Sequence, residues 1–207
     1  MNKTNPKDYL ELLEVFSIAL LNGILDKSEV IKWADEIIIN DDEPDYFIIE
    51  LSLCCHKSIY DIVSIINEYI GIDKPIVSGR VVLGLIYRRY LTGQITLRKV
   101  ASTINWIAWE TDLAYDEKSL MYGFDEYIDL AEEGLYGTVE GVEKEVLRFI
   151  EIYKDFQLSN YSEWKMINET IGNKIVQLIE TIKHEQDMLV LNQTKQKKKK
   201  WWNFWLH

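Results

Sequence analysis

Apolar positions recur every three or four residues along almost the whole 207-residue chain, the spacing that lines one side of an α-helix. Asn5 with Pro6 behind it predicts a first helix, and Gly23 its stop. Asp26 followed by Glu29 has capping-box spacing and opens the run SEVIKWADEIII. Pro44 is expected to start a third helix behind Asp41-Asp42-Glu43, whose negative charge suits a helix N-terminus. Ile59, Ile62, Val63, Ile66 and Ile70 stripe a fourth. Ser78, Thr96 and Ser119 are expected to cap three more: 79–91, a segment running to about Trp109, and one with Met121, Phe124, Ile128 and Ala131 on one side. Thr138 opens a helix carrying Val139, Val142, Val146, Phe149, Ile150 and Tyr153 at 3/4 spacing. A last long helix is expected from near Ser162, with Ile171, Ile175, Leu178 and Ile182 as a narrow seam.

The isoleucine-rich pieces 36–39 and 48–53 lack the strict alternation and the hairpin turns that a sheet needs. The expected fold class is therefore all-α, a multi-helix bundle or short stack of helical hairpins with about eight or nine helices. One echo crosses this pattern. Leu21-Asn22-Gly23 precedes Asp26, Val30 and Ile37, and Leu91-Thr92-Gly93 precedes Thr96, Val100 and Ile107 at the same offsets 70 residues on. A duplicated hairpin explains it. So does independent reuse of a glycine stop and an Asp or Thr start.

Composition adds a division along the chain. Hydrophobic residues make up 47%, enough for a core without disulfides or metals and too much for a disordered chain. The net charge of −11 comes from 34 Asp+Glu against 23 Lys+Arg. Five of the lysines, Lys195 and Lys197 to Lys200, lie in 193–207, which holds no acid. The remaining 18 bases face all 34 acids in 1–192, a formal −16. The expected organisation is an acidic helical domain, 1–192, and a basic, tryptophan-rich tail, 193–207. An acidic body disfavours nucleic acid, whose phosphates it repels, and favours a basic protein partner. Lys197, Lys198, Lys199 and Lys200 beside Trp201, Trp202 and Trp205 suit peripheral contact with an anionic membrane. An inert solubilising end and a nucleic-acid stacking patch are the competing readings of that tail.

Candidate chemistry is sparse. Cys54 and Cys55 are adjacent and have no other cysteine to pair with, which fits a reducing compartment. Asp8, Glu11 and Glu14 interrupt the stretch where a signal peptide needs apolar residues, and the uncharged run Val15 to Leu25 is too short to span a bilayer. A cytoplasmic location is expected, at the inner face of the membrane if the tail binds lipid. His56, His184 and His207 do not give Cys54 and Cys55 the spacing of a zinc site, so no metal and no cofactor are expected. The two cysteines are expected to be small buried residues near a helix end. No phosphate-gripping glycine loop, calcium loop or nucleophile elbow occurs, and the chain is expected not to be an enzyme.

The residues expected to meet a partner are acidic or aromatic. Asp41, Asp42, Glu43 and Asp45 form one cluster. Asp125, Asp129, Glu132 and Glu133 stand at i, i+4, i+7 and i+8, one face of a helix. Trp109 with Asp112 completes the set, and Trp106 and Trp109 are three apart on one helix side. One tryptophan in the core and one beside the acidic rim would form an interface hot spot; the other arrangement buries both.

ALLNGILDKSEVIKWADEII at 19–38, followed by DDEPDYFIIELSL at 41–53, resembles the immunity partners of contact-dependent growth inhibition and related polymorphic toxins. The resemblance covers roughly the first half of the chain. It implies a helical, acidic, non-catalytic protein that binds one cognate toxin domain in the producing cell and occludes it. No individual binding residue carries over from it, and the Lys/Trp tail departs from its pattern.

Overall fold

A computed structural model describes residues 5–71, 77–111 and 113–204, with side chains for 5–71, 78–111 and 113–188. The fold is all-α, as expected, with no strand among the described residues. The helices are α1 (Leu10–Leu21), α2 (Lys27–Asn40), α3 (Tyr46–Ser52), α4 (Ile59–Ile70), α5 (Val77–Leu91), α6 (Leu97–Glu110), α7 (Tyr115–Met121), α8 (Phe124–Glu132), α9 (Val139–Ile150) and α10 (Trp164–Phe204), with 3-10 turns between some of them. The chain divides into two units, one ending at Glu169 and one from Thr170 onward. The compositional step after residue 192 falls within α10.

The first unit is built around α1. Leu12, Leu13, Val15, Phe16, Ile18, Ala19 and Leu20 are all buried, and so are Glu14 and Ser17 among them, so this helix is covered on every side and sits at the centre. It packs on α4 and α5. Val81, Val82, Leu83, Leu85 and Ile86 continue the core along α5. Each such side chain contributes about 1.5–3 kcal/mol when fully buried. Gly84 lets another segment reach the α5 backbone: a Cβ there would lie 2.5 Å from the Tyr153 carbonyl oxygen. α9 turns Val142, Val146, Phe149 and Ile150 inward, as its spacing predicts. In the second unit Ile171, Ile175 and Leu178 are buried and Ile182 is half-buried.

Several helix starts differ from expectation, each for a local reason. Asn5 caps a 3-10 turn, Pro6–Tyr9, ahead of α1. Asp45 rather than Pro44 opens α3, its carboxylate accepting the Phe47 N–H at 2.9 Å. Ser78 is no cap, because α5 has already begun; its hydroxyl donates to buried Glu14 Oε2 at 2.7 Å. A carboxylate removed from water needs such donors. Ser119 lies inside α7, and the expected single helix breaks at Gly123, whose φ of 89° turns the chain into α8.

The 70-residue echo extends well beyond its turn signals. Gly23 and Gly93 both have positive φ, and each N–H bonds to the carbonyl three residues back, Leu20 and Tyr90. The next N–H, of Ile24 and of Gln94, bonds five residues back, to Ala19 and Arg89. α2 and α6 then have 14 residues each, and α3 and α7 have 7 each. α2 packs on α3 as α6 packs on α7, and α1 on α4 as α5 on α9. The match stops at α8, a nine-residue helix packed on α6 and α9 where the first half has only the three-residue turn Cys54–His56.

Candidate protein-interaction surface

The end of α6 and the whole of α8 carry the surface with the most distinctive chemistry. Trp109, in the last turn of α6, is 69% exposed. Trp106, one turn earlier, is half-buried, so one tryptophan faces solvent and the other partly enters the fold. Trp109 does not float. Its indole N–H donates to Asn105 Oδ1 at 3.2 Å, and the Asn105 amide donates to Asp125 Oδ2 at 3.1 Å. Its ring also leans on Tyr122, centroids 5.3 Å apart.

The aromatic surface continues past the break in the helix. Without a side chain at Gly123, the Tyr127 ring lies against the backbone, 3.4 Å from where a Cβ would stand. Tyr127 in turn meets Tyr136, centroids 6.0 Å apart. Gly134, at φ 70°, ends α8 and returns the chain so that Leu135 and Tyr136 both donate to the Leu130 carbonyl. Tyr122, Tyr127 and Tyr136 were not among the expected partner residues, although the two glycines that bring them together are visible in the sequence.

The acidic face expected on α8 is present, but it is internally tied. Arg98 on α6 donates Nη1 to Asp129 Oδ1 at 2.8 Å and Nη2 to Glu132. Those bonds, to Glu132 first and Asp129 second, push the guanidinium pKa further up. Asp125 accepts from Asn105, as described, and Glu133 is exposed. Two carboxylates one turn apart thus form a fork for a guanidinium, currently filled by the chain's own arginine.

The 41–45 cluster sits in the α2–α3 connection. Asp41 is buried and accepts the Glu43 N–H at 3.0 Å, and Asp45 is the α3 cap, so both shape the corner. Asp42 and Glu43 are exposed. Asp112 lies outside the described residues. So do the side chains of Lys197, Lys198, Lys199, Lys200, Trp201 and Trp202, and Trp205 altogether.

Glu117, Cys54, Arg88 and Arg89 each have partners within the fold. Glu117 is 1% exposed and accepts Arg80 Nε and the Tyr153 hydroxyl on Oε1, both at 2.9 Å, and Arg80 Nη2 and the Ala114 N–H on Oε2. All four lone-pair directions are occupied, leaving a structural tie between α5, α7 and the turn after α9. Burial, then Glu117, holds the Tyr153 phenol far above its usual range. Cys54 is buried, its thiol donating to the Glu50 carbonyl at 3.1 Å and pushed up in pKa mainly by burial. Cys55 is exposed, against the expectation that both would be buried, because a 3-10 turn at Cys54–His56 points the two apart. A groove of about 360 Å³ beside Leu25, Leu85 and Leu158 holds Arg88 and Arg89, which already donate to the Lys154 carbonyl and to Glu29 and Gln94. No cluster of three or more metal-binding side chains occurs among the described residues. None of the described helices is long and apolar enough to cross a membrane.

No known protein family, curated protein or solved structure matches the chain.

Proposed function

We propose that the protein is a non-enzymatic binder of a basic protein domain, most concretely an immunity protein that neutralises a cognate bacterial toxin by occlusion in the cytoplasm. The observation that carries this reading is Trp109, exposed yet held in place by Asn105 and Tyr122 beside an acidic rim. An anchor already fixed in position loses little side-chain freedom on binding, and tryptophan is the residue most enriched at interface hot spots. The surrounding carboxylates favour a basic partner through faster encounter. Nucleic acid is a poor fit for the same surface, since phosphates would be repelled by it.

The test mixes the full chain with the protein encoded by the neighbouring gene and follows association at low and high salt. A complex is expected whose association rate falls with salt. Charge reversal at Asp42, Glu126 and Glu133, which are exposed, is expected to slow association at least tenfold. A complex formed at the same rate by the reversed variant would rule out electrostatic steering, and no complex at all would rule out immunity.

A further inference from the structure

The exposed apolar residues of the first unit recur with the helix repeat. Ile39 is the penultimate residue of α2 and Trp109 of α6; Tyr46 opens α3 and Tyr115 opens α7; Leu53 and Tyr122 are the first residues beyond those two helices. Ile39, Tyr46 and Leu53 are 71–79% exposed, and Trp109 and Tyr115 are 69% and 82% exposed. Tyr122 is less so, because it leans on Trp109. Burial does not require this arrangement, since the inward faces of the same helices are filled by Val30 and Ala34 and by Val100, Ile104 and Ile107. A single exposed apolar residue is ordinary on any surface. Three at matching places on two corners are not explained that way.

The charge repeats as well. Residues 33–56 contain seven acids and no lysine or arginine. Residues 97–133, from the start of α6 to the C-cap of α8, contain nine acids and three bases, Arg98, Lys99 and Lys118. Both stretches keep exposed carboxylates, Asp42 and Glu43 in the first and Asp116, Glu126 and Glu133 in the second, although Lys57 pairs with Glu50 and Arg98 with Asp129 and Glu132. The Arg98 fork on Asp129 and Glu132 illustrates the chemistry such a rim accepts, a guanidinium held by two carboxylates.

We propose that the α2–α3 and α6–α7 corners are two equivalent docking surfaces, each taking a basic protein element whose apolar side chains meet the exposed triplet while its lysines and arginines face the rim. One chain then binds two such elements. This inference rests on the reading of the protein as an acidic binder of a basic partner, and adds to it a second site and a stoichiometry.

The probe is a synthetic amphipathic helical peptide with one leucine face and one arginine face, titrated calorimetrically into the full chain. The same peptide with glutamate in place of arginine is the control. Two arginine peptides per chain are expected, with both affinities falling as salt is raised. Ile39→Ser with Leu53→Ser removes one site, Trp109→Ser with Tyr115→Ser removes the other, and all four changes remove both; circular dichroism checks that each variant keeps its helices. A single site removed only by the Trp109 and Tyr115 changes would overturn the duplication and leave the acidic-binder reading standing. Binding at neither corner, or equal binding of the glutamate peptide, would overturn both. Two sites insensitive to all four substitutions would overturn the assignment to these corners.

Discussion

Arg80 and Glu117 meet side by side in the interior, Nε donating to Oε1 at 2.9 Å and Nη2 to Oε2 at 2.5 Å. Arg80 Nη1 reaches on to Asn168 Oδ1 at 2.6 Å, so one guanidinium joins α5 to α7 and to the start of α10. Removing one partner from such a pair leaves a buried charge uncompensated, at a cost of about 3–5 kcal/mol. Arg80→Met and Glu117→Gln are each expected to lower the urea midpoint by that equivalent. Replacing both together should cost less than the sum of the two, because neither charge is then stranded. Full additivity in the double-mutant cycle would show that the residues do not act as a pair.

Of the glycines, Gly84 is the one where an added side chain would meet the nearest neighbour. A methyl group there would meet the Tyr153 carbonyl at 2.5 Å and Phe156 Cβ at 2.9 Å, neither of which is the free end of a flexible side chain. Gly84→Ala gains helix propensity of roughly 1 kcal/mol in principle. The overlap forces backbone shifts that cost about 1–3 kcal/mol or more, so a net loss of stability is expected. Gly172→Ala is the matched control, since nothing lies within 4 Å of a Cβ at that helical site. The control should be neutral or stabilising in thermal unfolding, and equal effects at the two positions would dismiss the close-approach account.

Two phenols give the stability a definite dependence on alkaline pH. Burial first, and then the hydroxyl's bond to Glu143, push Tyr90 up to about 12 from an ordinary 10.0. Tyr153 moves in the same direction for the same kinds of reason. The unfolded chain therefore gives up these protons before the folded chain does. For Tyr90 the stabilisation is complete below pH 10.0 and is lost progressively as pH rises towards about 12; for Tyr153 the loss has the same sign. Urea midpoints are expected to fall across that window, and Tyr90→Phe should flatten part of the fall. Tyrosinate absorbance of the native protein should show a late-titrating fraction that disappears in denaturant.

Local rules made much of the fold legible. Thr96 and Thr138 cap α6 and α9 because an oxygen one bond from Cβ reaches the N–H three residues on, a relation contained in the sequence itself. Ser78 has the same chemistry but spends its hydroxyl on Glu14, 64 residues away, and no local rule anticipates that. The interaction surface divides in the same way. Trp109 stood out by type and neighbours, and Asn105 lies four residues before it on the same helix face. Arg98 meets Asp129 and Glu132 across 31 and 34 residues, a closure that only the packing of α6 on α8 creates. In the sequence alone the acidic stripe carries no sign of its counter-ion.

Trp109 separates stability from binding. Its side chain is mostly in solvent, and it makes a hydrogen bond to Asn105 and a ring contact with Tyr122. Truncation at such a site changes folding stability by about 0.5 kcal/mol or less. An anchor of this kind in an interface typically costs at least about 2 kcal/mol in binding, roughly 30-fold in affinity. Trp109→Ala is therefore expected to unfold within a few degrees of the parent while losing affinity for the neighbouring gene's product. Asn105→Ala should reproduce part of that loss without touching the partner, because it releases the indole from its fixed orientation and strips Asp125 of a donor. If Asn105→Ala binds as well as the parent while Trp109→Ala does not, the tryptophan acts by contact alone and its pre-ordering contributes nothing. If both variants bind normally, the interface lies elsewhere on the chain.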